Sequence, residues 1–265
     1  MFGKILLPID PSKRLKPARD YAFALSERLD VPLIAVFVGN PKKAGVGTAS
    51  LDTREGFAAL GERQLKQIVE ANDSIDIKPI IKNGTRHKIL ADMIGQDIAD
   101  TLVLGPFRSY FSRWFTGSEV ERILEYETSN TFVVREFHPL PGPGSPALVV
   151  FDGHEFSDNS IISIENFAKK FGCDIELLYL GKEVLDTKFI DSLVATLRER
   201  LGEKHHITST IQSHSFFKSR KSITNSVIDR EGARIVVLPD ISHLVSEFLL
   251  HEVVLGTSVP VCLLR

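Results

Sequence analysis

The sequence predicts an α/β protein made of two successive units, each a parallel sheet covered by helices on both faces. Segments that are apolar throughout alternate with segments whose apolar residues recur at helical spacing, and strands of that kind are buried on both sides, as in parallel sheets. The element order then starts again: Ala147 to Phe151 ends at Asp152-Gly153 much as Leu6 to Ile9 ends at Asp10. Between the two halves stands Phe137 to Pro146, FHPLPGPGSP, with four prolines and two glycines. Such a stretch cannot hold a regular element and reads as a semi-extended linker. The expected domains are therefore 1–136 and 147–265, joined by the linker 137–146.

In the first half, Lys4 to Ile9 is an apolar run that stops at Asp10, Pro11 and Ser12, a strand entering a turn. Pro17 to Leu29 carries Ala18, Tyr21, Ala22, Leu25 and Leu29 at helical spacing, and Val31 to Val38 is a β-branched strand run. Gly39 to Thr53, with Pro41, Gly45 and Gly47, reads as a loop. A helix over Arg54–Ala71, a strand over Ile77–Ile81, the turn Asn83-Gly84 and a helix over Arg86–Ile98 follow. Thr101–Leu104 is the fourth strand, a helix begins near Glu119, and Asn130–Arg135 is the fifth strand.

In the second half, strands are expected at Ala147–Phe151, Ile175–Tyr179, Ile207–Ile211, Arg234–Leu238 and Val259–Leu264. The helices between them fall near Asp158–Phe171, Asp186–Arg200, Ser219–Glu231 and Val245–Val254. In the expected fold Cys173 and Cys262 sit on the second and fifth strands of one sheet, too far apart to bridge, and are expected as buried free thiols.

The stretch Thr101 to Thr128, TLVLGPFRSYFSRWFTGSEVERILEYET, is where chemistry is expected. A strand there gives way to a glycine-bounded loop and a helix, and carboxyl ends of parallel strands open onto a crevice where a helix N-terminus presents unpaired N–H groups. Ser118 supports two readings. With Glu121 three residues on it forms a capping box; alternatively its hydroxyl and the first helical N–H groups cradle phosphate oxygens. The second half has Leu238-Pro239-Asp240 at the equivalent place and no glycine loop, so the first half is the one able to hold an anion.

Composition sets further bounds. Hydrophobic residues make up 43% and charged residues 25%, as in packed globular proteins, and a net charge of −2 supplies no basic face for nucleic acid. The apolar run before Asp10 is too short for a secretory segment, and no run approaches the roughly 20 residues of a membrane span. A cytoplasmic protein that is not integral to a membrane is the expectation. His243, Glu247 and His251 recur every four residues, a spacing that fits a solvated helix face better than a metal site, since no further ligand is apparent. The loop Ser109–Phe115 is aromatic and basic, a patch that can dock a partner or a membrane headgroup region, although its rings fit better folded back onto the sheet or the sister domain. Phe216–Lys221 opens a helix with its rings packed inward and its charges solvated. P-loop, nucleophile-elbow and GxGxxG patterns are absent, so no catalytic residue is assigned and a slow ATPase is the most an enzymatic reading allows.

KILLPIDPS near the start, Asn83-Gly84 before a helix, and LVLG…GSEVERIL together resemble the universal stress protein family, and the repeat resembles its tandem two-domain members. The resemblance implies two Rossmann-like domains of the adenine nucleotide alpha hydrolase-like type. Each is a five-stranded parallel sheet with helices on both faces, paired along their last strands as an internal pseudo-dimer, with a further homodimer open. It also implies an adenine nucleotide as ligand of the first domain, ATP, ADP or AMP, with Mg when ATP is bound and otherwise no cofactor. By that resemblance Pro8, Ile9 and Asp10 frame the adenosine, the Asp10 carboxylate accepts from ribose hydroxyls, and Phe37 offers backbone groups to the adenine edge. Leu104 and Gly105 floor the site, and Gly117, Ser118 and the N–H of Glu119 meet the phosphates. Arg108 stands where the pattern G-x2-G-x9-G-[ST] has its second glycine and can offset phosphate charge. The expected function is a stress-response regulatory module; the alternative is a nucleotide-free, pseudo-dimeric scaffold for a protein partner.

Overall fold

The computed structural model describes residues 2–10, 15–39, 53–105, 129–151, 156–180, 187–211, 233–239, 253–254 and 257–265. The chain divides into two compact units, Met1–Asn130 and Thr131–Arg265.

The first unit contains β1 (Ile5–Ile9), α1 (Lys16–Leu29), β2 (Leu33–Gly39), α2 (Thr53–Glu70), β3 (Ile77–Asn83), α3 (Arg86–Gly95) and β4 (Thr101–Leu104). Its strands run parallel in the order β3-β2-β1-β4. Every residue of β1, β2 and β4 is buried, as uninterrupted apolar runs require. α1 starts with a proline in its first turn and buries Ala18, Tyr21, Ala22, Leu25 and Leu29, the stripe that helical spacing predicts. It ends at Asp30 in the left-handed conformation, where the Val31 N–H donates to Ser26 O. α3 stops at Gly95, earlier than the predicted Ile98, because Asp97 turns left-handed (φ 56) and its N–H bonds back to Ile94 O. At the opposite end of the sheet from the strand carboxyl ends, the Asp100 carboxylate accepts from the N–H groups of Gly3 (2.7 and 2.9 Å) and Lys4 (3.2 Å).

The second unit contains β5 (Asn130–Val133, from Thr131 onward), β6 (Pro146–Phe151), α4 (Asp158–Phe171), β7 (Asp174–Tyr179), α5 (Thr187–Leu201), β8 (Ile207–Ile211), β9 (Ile235–Pro239) and β10 (Val261–Leu264). The order is β5-β10-β9-β6-β7-β8. All these ladders are parallel except β5–β10, which is antiparallel with Cys262 opposite Phe132. α4 is capped by Ser157, whose side chain accepts from the Ser160 N–H at 3.1 Å, and closes on Gly172 at φ 62. Cys173 and Cys262 are buried and free; Cys262 lies on β10 and Cys173 immediately precedes β7.

Of the loop expected over Gly39–Thr53, Gly39 ends β2 and Thr53 opens α2, while residues 40–52 lie outside the described residues, as do the helix from Glu119 and the helix near Ser219–Glu231. Of the helix near Val245–Val254, Val253 and Val254 are described, and both are buried. Among the described residues no helix is long and apolar enough to cross a membrane.

Candidate functional site

The order β3-β2-β1-β4 reverses direction between β1 and β4, the position at which an open parallel sheet forms a ligand crevice. The ladder between these strands is short, Ile5↔Thr101 and Leu6↔Leu102. Lys4 O accepts from the Thr101 N–H, so Lys4, Leu6 and Pro8 turn their backbones toward β4. Pro8 has no N–H to extend that ladder, and the two strands part at their carboxyl ends. Asp10, just past β1, is half-buried at this opening.

Arg86, the first residue of α3, brings its Nη1 to 3.8 Å from Asp10 Oδ2; the two side chains are 21% and 20% exposed. Local backbone geometry places it there. The Gly84 N–H donates to Gly39 O at 2.9 Å, prolonging β3 along β2, and Gly84 then takes φ +152, a conformation that suits glycine. Thr85 is the N-cap and α3 begins at once. Arg86 is the residue that sequence reasoning missed, although its place directly after the Asn83-Gly84 turn was the available signal.

Phe37 is brought to the crevice end of β2, but neither its ring nor its backbone points into the opening. Its ring is 4% exposed and lies against Gly61 of α2. The Leu33 N–H donates to Asp76 O, so alternate residues Leu33, Ala35, Phe37 and Gly39 turn their backbones toward β3, and Val38 turns its own toward β1. Val38 is therefore the end-of-strand residue whose backbone faces the crevice side. Leu104 is fully buried at the end of β4. Gly105 lets the start of α1 close on that strand: a β carbon there would stand 3.1 Å from Leu15 Cδ1 and 3.2 Å from Ala18 Cβ.

Pro8, Ile9, Asp10, Leu104 and Gly105 thus converge on one opening, with Arg86 beside Asp10. Arg108, Gly117, Ser118 and Glu119, and with them both readings of Ser118 and the aromatic loop 109–115, lie outside the described residues. So do Phe216–Lys221, His243, Glu247 and His251. Among the described residues, no group of three or more His, Cys, Asp or Glu side chains is placed to hold a metal ion.

The ends of β6 and β7 in the second unit carry an aromatic cluster. Phe151 pairs with Tyr179 there as Ile9 pairs with Phe37. The Phe151 ring meets Phe156 edge-on at 5.0 Å and Tyr179 at 5.7 Å, all packed at the strand ends.

A parallel α/β unit with a crevice at its switch point, an acid at the end of its first strand and a glycine turn before its third helix defines the Rossmann-like class. Residues 1–135 match the model of the Universal stress protein family, and the chain belongs to that family. Among solved structures, a universal stress protein from Archaeoglobus fulgidus is similar over 99% of this chain and 98% of its own, at 16% identity and TM-score 0.72. A putative universal stress protein from Pseudomonas aeruginosa is similar over 99% of this chain and 93% of its own, at 13% identity and TM-score 0.61. UspA from Lactobacillus plantarum aligns with 51% of this chain and 98% of its own, at 23% identity and TM-score 0.41. No curated protein matches the sequence.

Proposed function

We propose that the first unit binds an adenine nucleotide, ATP, ADP or AMP, and that the chain serves as a cytoplasmic stress-response regulatory module. The observation that carries this reading is the opening between β1 and β4, with Pro8 ending the ladder and Asp10 at its mouth beside Arg86. In this reading Pro8 and Ile9 frame the adenosine and Asp10 accepts from the ribose hydroxyls. The Val38 backbone, next to Phe37, serves the adenine edge, while Leu104 and Gly105 form the floor. Gly117, Ser118 and the N–H of Glu119, with Arg108, meet the phosphates, and Mg accompanies ATP. The second half has Leu238-Pro239-Asp240 where the first has its glycine loop, which supports a single site per chain.

The test is to purify the protein without added nucleotide, denature it and identify released small molecules by mass spectrometry, then titrate ATP, ADP and AMP into stripped protein. Co-purified or micromolar-binding nucleotide supports the reading; no release and no binding removes it. A second reading, a nucleotide-free scaffold for a protein partner, is favoured by one observation: the carboxylate that would take the ribose is already engaged by Arg86.

A further inference from the structure

We infer that the outer edge of β8 is a self-association surface, on which a second copy of this chain lays its own β8 antiparallel across a two-fold axis at Ser209. The strand Ile207-Thr208-Ser209-Thr210-Ile211 reads the same in both directions. Two antiparallel copies centred on Ser209 place Ile207 opposite Ile211, Thr208 opposite Thr210 and Ser209 opposite itself. Threonine pairs and β-branched pairs across strands favour such a ladder.

The backbone is oriented for it. His206 O accepts from the Ile175 N–H at 3.0 Å, so His206, Thr208 and Thr210 turn their backbone groups toward β7, and Ile207, Ser209 and Ile211 turn theirs outward. Arg198 Nη2 donates to Ile207 O at 3.0 Å, as an outward carbonyl allows. A carbonyl has two lone pairs, so that bond leaves room for a second donor. Among the described residues no strand pairs with the outer side of β8.

The first unit shows what a guarded edge looks like. β3 is the counterpart of β8: Ala35↔Pro79 occupies the place in its ladder that Leu177↔Ser209 occupies here. Asp76 O accepts from the Leu33 N–H, so Ile77, Pro79 and Ile81 face outward on β3. Pro79 removes the N–H from the middle of that edge, and Lys78 and Lys82 stand exposed beside it. Proline and lysine are the residues with which edge strands are kept from pairing. β8 carries neither: from His205 to Phe217 there is no Pro, Lys, Arg, Asp or Glu, and Ile211 is 42% exposed.

The test is sedimentation velocity of the whole chain from about 1 to 100 μM, a range wide enough to resolve a micromolar dimer. The wild type is expected to dimerise. Thr208→Lys combined with Ser209→Pro, which carries the Lys78-Pro79 pair of β3 into β8, is expected to weaken the dimer by about tenfold or more. Should the proline impair folding, Thr208→Lys alone carries the comparison, with circular dichroism confirming the fold. Register is tested separately. Opposed residues of a hydrogen-bonded antiparallel pair have Cα atoms about 5.5 Å apart, within disulfide reach, so Ser209→Cys is expected to oxidise to a covalent dimer. Thr208→Cys, which faces Thr210 of the second copy, is expected not to cross-link, and the native thiols are buried. A wild type that stays monomeric, a dimer indifferent to Thr208→Lys, or cross-linking at 208 in preference to 209 overturns the inference.

Discussion

Gly61 of α2 lies flat against the ring of Phe37 on β2: a β carbon on Gly61 would stand 2.6 Å from Cδ1 and 3.0 Å from Cγ. The helix thereby sits close over the crevice end of β2, and the contact sets two effects against each other. Alanine is the better helix former by about 1 kcal/mol. Overpacking a buried ring costs about 1–3 kcal/mol. The ring is 4% exposed and strand-borne, so it has little room to move. Gly61→Ala is therefore expected to lower stability in urea unfolding, and Phe37→Leu in the same chain to recover much of the loss. A neutral or stabilising Gly61→Ala would refute the close contact.

What could be read from the sequence and what could not divides along physical lines. The apolar runs of β1, β2 and β4 were legible because a strand buried on both faces must be apolar at every position. The buried stripe of α1 was legible for the same reason at helical spacing. Partnership was not. Nothing in Asn130–Val133 tells that its Thr131–Val133 pairs antiparallel with Val261–Leu263, since a short apolar run has no direction. Arg86 gains its meaning from Asp10, which only the register of β1, β2 and β3 brings near. Gly61 reads along the chain as a weak point of a helix, and only the packed sheet shows why a side chain is excluded there.

Glu165 joins α4 to α5: Lys169 Nζ donates to its Oε1 at 2.6 Å and Arg200 Nη1 to its Oε2 at 3.3 Å. The Lys169 hydrogen bond, against the opposing effect of burial and with help from Arg200, holds the carboxyl below its ordinary range. A lowered folded pKa means that the pair stabilises the fold above the unfolded value and that this contribution is lost as pH falls through the folded one. Because Lys169 and Arg200 are 51% and 36% exposed, the contribution is under about 1 kcal/mol. Glu165→Gln is expected to melt slightly below wild type at neutral pH, with the gap closing as pH falls below the ordinary carboxylate range. A gap that widens on acidification would contradict the assignment.

The two thiols report on packing at separate strands. Burial pushes Cys173 up to about 12 and Cys262 well above its ordinary value. The thiolate is the reactive species, so the folded protein is expected to take up no iodoacetamide at about pH 8 and two equivalents in denaturant. Rapid native labelling of either cysteine would mean that β10 or the start of β7 opens locally.

Asp10 and Arg86 decide between the two functional readings. If the pair prepares the nucleotide site, Arg86 orients the Asp10 carboxylate for the ribose and offsets its charge toward a polyanionic ligand. Asp10→Ala and Arg86→Ala are then each expected to weaken AMP and ATP binding by about tenfold, roughly the worth of one charge-assisted hydrogen bond. The double variant is expected to lose less than the two losses combined, because each residue acts through the other. If instead the pair only locks the turn after β3 to the end of β1, Arg86→Ala frees the carboxylate and nucleotide affinity stays level or rises. Calorimetric titration of the four proteins with AMP separates the cases. AMP and ATP falling by the same factor in Asp10→Ala would further place the loss at the ribose, since both ligands share it and differ only in phosphates.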